Sequence, residues 1–350
     1  MIISKGIKMK NINSLNEFSN DIDRNRSYSY YDIYGFVLAI DYEVNSTFFR
    51  EYKRFLKKEK PNKINLYIKK ANKKLPITLP KDNKGILIPF NGNTVYFENG
   101  VWSDWLLYTI EPIIEWEDKC FLHCGAVEKD GNAYLFPAKS GVGKTSLATY
   151  LISRGYNYLA DDWLIIGNKK AYPFFKTFHI YDYNLKDKKL AKKALGFKRL
   201  YYRNLIRIMD FFAFVLRHRF VKIAVERFKP VFSVDVEDMF PGKLGRISKI
   251  KRVFLLETNN KSDEISLEKI NASEIVTKMK YVWLNEANHF YRNYFEYAYD
   301  NGAVEKIEKR TEKDRKIMLD CFSEAEIYRL YIPKHINPEK TYEKIRGLLQ

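Results

Sequence analysis

The residues with the clearest chemical purpose in this sequence begin with Ala138-Lys139-Ser140-Gly141-Val142-Gly143-Lys144-Thr145. Ahead of them, Asn132-Ala133-Tyr134-Leu135-Phe136-Pro137 reads as a short buried strand. Behind them, Ser146 to Ile152 keeps helical spacing and stops at Gly155. Strand, glycine-rich turn and helix together form a setting in which backbone N–H groups converge on a phosphate chain. The helix N-terminus adds partial positive charge there. Ser140, Gly141, Val142, Gly143, Lys144, Thr145 and Ser146 would then make a nucleotide cradle. The glycines let the backbone come close, Lys144 is expected exposed and within reach of the β- and γ-phosphates, and the Thr145 hydroxyl is a ligand for Mg²⁺. The usual first glycine of such a loop is here Ala138.

A pair of carboxylates, Asp161 and Asp162, interrupts the apolar run Tyr158-Leu159-Ala160 and Trp163-Leu164-Ile165-Ile166. That run is expected as a strand lying beside the one that enters the loop, with the acids at the ligand crevice of a parallel α/β arrangement. Facing a bound triphosphate, such a pair can hold Mg²⁺ and accept the proton of an attacking hydroxyl. An ordinary acidic turn is the alternative. A third stretch, Phe121-Leu122-His123-Cys124-Gly125-Ala126-Val127, precedes a hairpin turn at Glu128-Lys129-Asp130-Gly131. It puts His123 on the strand paired with the one feeding the loop.

His123, the loop and Asp161-Asp162 occur in an order and spacing that resemble the catalytic domain of HPr kinase/phosphorylase, of phosphoenolpyruvate-carboxykinase-like type. The resemblance is closer to the HPr-kinase-like serine kinases of peptide-maturation systems, such as lasso-peptide tailoring kinases. It rests on Leu-His-x-x-x-Val, Ser-Gly-x-Gly-Lys-Thr, Arg154-Gly155-Tyr156 and Asp161-Asp162. It extends weakly to Ala171–Lys176, Arg252–Glu257 and Ile327–Ile332. No Glu-Ile-Arg-Gly-type signature of true HPr kinases is present, which speaks against HPr as substrate and against a phosphorolysis activity. The resemblance implies an α/β fold with a P-loop nucleotide-binding core. It further implies an ATP- and Mg²⁺-dependent kinase acting on serine of a peptide or protein, with other phosphate donors open to it. His123, Lys144, Asp161 and Asp162 would be catalytic, and Thr145, Asp161 and Asp162 would face the metal. Which aspartate is base and which is ligand stays open.

The elements that must position these residues belong to a chain of 350 residues with 46% hydrophobic and 30% charged residues, a balance suited to a folded chain. Its formal charge of +18 favours an acidic partner: an acceptor peptide with an acidic segment, a nucleic acid or a membrane surface. Cys120, Cys124 and Cys321 are too few for a disulfide framework and suit reduced thiols in the cytoplasm. Strand alternation sets Cys120 and Cys124 opposite His123, against a zinc site. Met1-Ile2-Ile3 runs straight into polar residues, so no secretory signal is expected, and no apolar run has membrane-spanning length. Homo-oligomerisation is open.

Residues 1–100 are expected to form a β-rich amino-terminal region and 101–350 the catalytic domain. Strand character falls at Tyr30–Tyr42, Ile64–Ile68, Gly85–Pro89 and Thr94–Phe97, with a helix or loop at 45–58 and a hairpin signal at Asn91-Gly92. Residues 1–25 are polar and expected to be poorly ordered. The basic run 53–81 is a solvated or partner-binding face. Trp102–Trp116 is expected as an amphipathic helix broken at Pro112. A basic helical insert spans 186–229, its apolar face running from Leu205 through Ile208 and Met209 to Ile223 and its basic face carrying Arg199, Arg203 and Arg207. That helix would dock on the core with its basic side outward, or lie on a membrane surface. Further on come a strand at Lys251–Glu257, helices at 272–299 and 303–324 with Asn271 as cap, a strand at Tyr328–Ile332 and a helix from Pro338. Two other functions fit the same motifs: a small-metabolite kinase of shikimate-kinase type, and a non-kinase, nucleotide-gated binding protein for an acidic peptide or membrane.

Overall fold

Two sheets organise the chain. A computed structural model describes residues 27–42, 45–71, 85–88, 90–98, 109–180, 196, 198–215, 232–260, 262–334 and 337–349. The expectations for residues 1–25, for 72–81 of the basic run, for 102–108, and for all of the insert except 196 and 198–215 lie outside the described residues. The architecture is mixed α/β, and no helix among the described residues is long and apolar enough to cross a membrane.

In the amino-terminal sheet, β1 (Tyr28–Ile33) and β2 (Phe36–Asp41) divide what reads in sequence as one strand. The chain reverses at Tyr34-Gly35, with φ +50° and +93°. Asp32 Oδ1 accepts from the Gly35 N–H at 2.7 Å. A tyrosine seldom adopts positive φ. Here tertiary contacts hold it, since its hydroxyl donates to Pro173 O at 2.7 Å and its ring meets Phe55 and Tyr172 edge-on. Next come α1 (Asn45–Tyr52), a 3₁₀ turn at Lys53–Phe55 and β3 (Leu56–Lys57). β4 (Leu66–Lys70) starts two residues later than expected, β5 (Ile86–Leu87) is shorter, and β6 (Thr94–Phe97) lies where the pattern puts it. The strand order is β3-β1-β2-β4-β6-β5. The described end of the expected 102–116 helix is a 3₁₀ turn at Glu111–Ile113, because Pro112 has no N–H to continue an α-helix.

The larger sheet is built on β7 (Lys119–Lys129), which is paired along both edges. On one side β8 (Asn132–Pro137) returns antiparallel through Asp130-Gly131, both left-handed at φ +52° and +79°, as a two-residue hairpin turn of this type needs. α2 (Lys144–Ser153) follows. On the other side lie β9 (Asn157–Ala160) and β10 (Trp163–Gly167). This corrects the expected layout. The acid-bearing run is two strands, not one, and both pair antiparallel with β7 rather than lying beside the loop strand. The place beside β8 goes to a parallel strand that comes later in the chain, Ser248–Asn259. Beyond β10 is β11 (Lys170–Tyr172); after it β12 (Phe178–Ile180) pairs with β13 (Phe232–Val234).

Between those last two strands runs α3 (Lys198–Val215). Tyr202 and Ile206, four residues apart, pack against the core, whereas Ile208, expected on the inward face, is exposed. After the short α4 (Val236–Met239), the sheet continues with β14 (Ser248–Asn259), β15 (Ser266–Lys269) and, later, β16 (Glu326–Pro333). The order is β11-β10-β7-β8-β14-β16-β15, with β9 also on β7, β11 also pairing with β14, and β14 parallel to both β8 and β16. Asn271 caps α5 (Ala272–Glu286) in a reciprocal pair with Glu274. The expected single helix at 272–299 breaks at the buried Ala287, giving α6 (Asn288–Asn301). The break coincides with a change of partner: Ile275, Val276 and Met279 pack under β7, while Phe290 and Tyr294 join the amino-terminal core. α7 (Glu305–Phe322) and α8 (Pro338–Ile345) complete the fold.

Side-chain alternation along β7 divides the core. Cys120, Leu122, Cys124 and Ala126 point to the layer formed with α5 and α7. Phe121 points the other way, into a cluster shared with Tyr31, Ile40 and Val95 of the amino-terminal sheet and with Phe174. His123 therefore lies on the face opposite Cys120 and Cys124, as alternation requires.

Candidate active site

The loop between β8 and α2 takes its shape from two glycines. Gly141 and Gly143 have φ of +81° and +113°, where any Cβ would strain the backbone. Ala138 is buried and lacks a positive φ, so its position makes no demand for glycine. Gly143 also occupies the N-cap of α2 and supplies no side-chain acceptor. The first N–H groups of the helix are left facing the loop without an intrahelical partner.

Lys144 is buried, contrary to the expected exposure. Its Nζ donates to Ala138 O and Lys139 O, each at 3.4 Å, contacts long enough to be exchanged for a better acceptor. Beneath it runs Gly125 of β7. A Cβ there would meet Lys144 Cβ at 3.2 Å, so a glycine lets the helix start approach the sheet without displacing it.

Asp161 and Asp162 form the bend between β9 and β10. The bend is pinned to β7 by Cys124 N–H donating to Asp162 O at 2.9 Å. His123 joins bend and loop. Its Nδ1 is 2.7 Å from Ala138 O and its Nε2 2.7 Å from Asp162 Oδ1. The carbonyl can only accept, so Nδ1 donates to it; Nε2 donates to Asp162 when the ring carries both protons.

The two carboxylates differ sharply. Burial acts to raise Asp162, but the hydrogen bond and charge of His123, with Lys144 and Lys176, outweigh it and hold the carboxyl well below the usual carboxylate range. Although the surrounding chain crowds the carboxyl, its side chain keeps 64% of its surface open, at the mouth of the site. Asp161 is pushed up to about 6, chiefly by burial and further by Asp162, against the Thr145 hydroxyl that hydrogen-bonds it. Asp161 Oδ1 is buried without a hydrogen-bond partner. An orphaned carboxylate oxygen beside a threonine hydroxyl suits a hard cation such as Mg²⁺, which keeps several waters and needs few protein ligands. Among the described residues no group of three or more His, Cys, Asp and Glu side chains is placed to hold a metal. Cys120 and Cys124 are buried, with their thiols on Asp314 O and Gly125 O.

Three neighbours of the site are absent from the sequence-level candidates. Gly125 carries only the weak signal of a glycine inside a strand. Lys176 follows Phe174, whose N–H donates to Leu159 O at 3.2 Å, so 174–176 runs beside the end of β9. Lys176 is ion-paired with Glu111, and Tyr52 OH donates to the same Glu111 oxygen at 3.3 Å. Glu111 and Lys176 meet from 65 positions apart, which no local pattern reveals.

No family model matches this sequence, and no curated protein matches it.

Proposed function

We propose that this chain is a kinase with a P-loop nucleotide-binding core, transferring the γ-phosphoryl group of ATP to a hydroxyl with Mg²⁺. The observation that carries the reading is the bond pair of His123, which ties the loop carbonyl of Ala138 to the acid Asp162 and brings phosphate cradle and carboxylates into one site. In this reading the uncapped N–H groups of α2 and the Lys144 ammonium hold the phosphate chain. Thr145 and Asp161 would hold Mg²⁺, which would supply positive charge against the phosphates. Asp162, at the mouth and turned by His123, takes the hydroxyl proton from the acceptor. Exclusion of water and fixed donors supply most of the rate. The resemblance of the motif order to HPr-kinase-like serine kinases supports serine of a peptide or protein as acceptor, and the surplus of basic residues supports an acidic segment in it.

The test is incubation of the full chain with Mg²⁺, γ-labelled ATP and a library of serine-containing acidic peptides, read by mass spectrometry. Phosphoserine formed by wild type and lost in Lys144→Ala is expected. ADP released with no phosphorylated acceptor, or a label found only on small metabolites, would overturn the peptide-kinase reading.

A further inference from the structure

Lys176 and Glu111 form a nearly buried ion pair, within electrostatic reach of Asp162, that the catalytic scheme above leaves without a task. Placing two charges in a poorly solvated position is costly, and such a pair contributes little net stability compared with apolar residues of the same size. The Lys176 side chain is 17% exposed and that of Glu111 is 6% exposed. Among the described residues, Glu111 is the one acceptor of the Lys176 ammonium, which has three N–H donors. Two donors therefore remain uncommitted on a nearly buried cation.

Its placement is fixed from two directions. The backbone of Phe174 is hydrogen-bonded to the end of β9, directly before Asp161 and Asp162. The next residue, Thr177, is anchored by the buried Glu51, which accepts from its N–H at 3.1 Å and from its hydroxyl at 2.7 Å. The lysine thus hangs on a segment clamped at both sides, and Glu111 sets the position of its head. The charges of Lys176 and Lys144 both act to lower Asp162.

We propose that Lys176 is a second catalytic cation of this site, its ammonium contacting the phosphoryl group in transfer from the Asp162 side. The inference rests on the kinase reading above. In the step itself the acceptor oxygen forms a bond to the γ-phosphorus, and the bond to the β–γ bridging oxygen breaks with its electron pair leaving on ADP. The hydroxyl proton passes to Asp162. Lys176 gives up no proton; its charge and uncommitted N–H groups face the equatorial oxygens, where negative charge is spread in a loose transition state. Glu111 is a positioning residue for it. A cation used in this way contributes little to holding ADP and much to holding a planar phosphoryl mimic.

The experiment titrates the full-length protein with Mg²⁺ and ADP, and with Mg²⁺, ADP and aluminium fluoride, by calorimetry. Wild type should bind the aluminium fluoride complex more tightly than ADP. Lys176→Met should lose roughly 10²-fold of that gain, with ADP affinity unchanged. Because a lone Glu111 could destabilise the fold, Glu111→Gln/Lys176→Met is measured alongside; it removes both charges, keeps the volume and should show the same selective loss. If wild type fails to bind ADP, the nucleotide reading falls and this inference with it. If wild type binds both and the double variant retains the gain, the inference alone is overturned. Equal losses for ADP and the fluoride complex, together with a lowered Tm, would make Lys176 a structural residue and overturn it likewise.

Discussion

Two of the places where this molecule buries charge are finished differently. Under α7, Arg310 donates to Pro112 O and to Ile114 O, lies 3.6 Å from Asp314 Oδ2 and sits over the Trp283 ring at 5.1 Å. Glu115 nearby is met by Lys306 at 3.2 Å and Lys313 at 3.1 Å. That cluster closes on itself except at Arg310 Nε, which has no hydrogen bond and meets Asp314 only as an ion pair, and its role is to hold the 109–116 segment against the helices. Around Asp161 and Asp162 the valences stay open. Asp161 Oδ1 has no partner, the start of α2 has no cap, and Lys176 uses one donor on Glu111. A closed set of buried charges works for the fold, whereas an open set is poised for something that the fold does not contain.

The sharpest way to break this comparison is to neutralise one member of each set. Asp162→Asn keeps shape and removes the proposed proton acceptor, so in the kinase reading phosphoryl transfer should fall about 10²–10⁴-fold while nucleotide binding persists. Asp161→Asn should instead raise the Mg²⁺ concentration needed for half-maximal rate. Rate assays across a Mg²⁺ titration separate the two, and equal behaviour of both variants would remove the division of labour. Arg310→Met in the closed set should cost about 3–5 kcal/mol of stability by denaturant unfolding, since it strands Asp314 and two carbonyls. The folded fraction should bind ADP as wild type does. Weakened nucleotide affinity there would show that the closed cluster reaches into the site.

A smaller effect is expected at Gly125. Gly125→Ala sets a methyl against Lys144 Cβ and lifts the start of α2, an overpacking cost of about 1–3 kcal/mol. Because the shift falls on the phosphate loop, ADP affinity should drop along with Tm. A variant that loses Tm alone would place the strain in the strand rather than in the loop.

What could be read ahead of the structure follows the range of the forces involved. The strand–loop–helix unit is legible because glycines at left-handed positions, a following lysine and helical spacing are local. His123 facing away from Cys120 and Cys124 is legible from the period of a strand. The double pairing of β7 is not, since nothing in Tyr158–Ile166 announces that its acids bend the chain and send both halves to the same neighbour. The reversal at Tyr34-Gly35 is hidden because a tertiary bond to Pro173 holds a tyrosine where tyrosine is rare. Lys176 and Glu111 are hidden for the same reason: each is an ordinary charged residue until the fold sets them together beside Asp162.

The mildest consequence of the open set should appear in stability against pH without Mg²⁺. The folded-state pKa of Asp161 is raised to about 6 from an ordinary 3.8, so between these values the native state binds more proton than the unfolded chain. Stability contributed by this group therefore falls as pH rises through that window. Asp162 acts elsewhere: its folded value is depressed, so its stabilising contribution is complete above the ordinary range and lost only as pH falls below it. Glu111 and Asp314, both raised chiefly by burial, lean the same way as Asp161, so the comparison must be with Asp161→Asn rather than absolute. In EDTA the variant should have the higher Tm at pH 7, and its advantage should vanish toward pH 4. Adding Mg²⁺ at pH 7 should raise the Tm of wild type and leave that of the variant unmoved. A Tm difference constant from pH 4 to pH 7 would mean that the orphaned oxygen of Asp161 carries no unpaired charge, and the open set would lose the member that the metal assignment depends on.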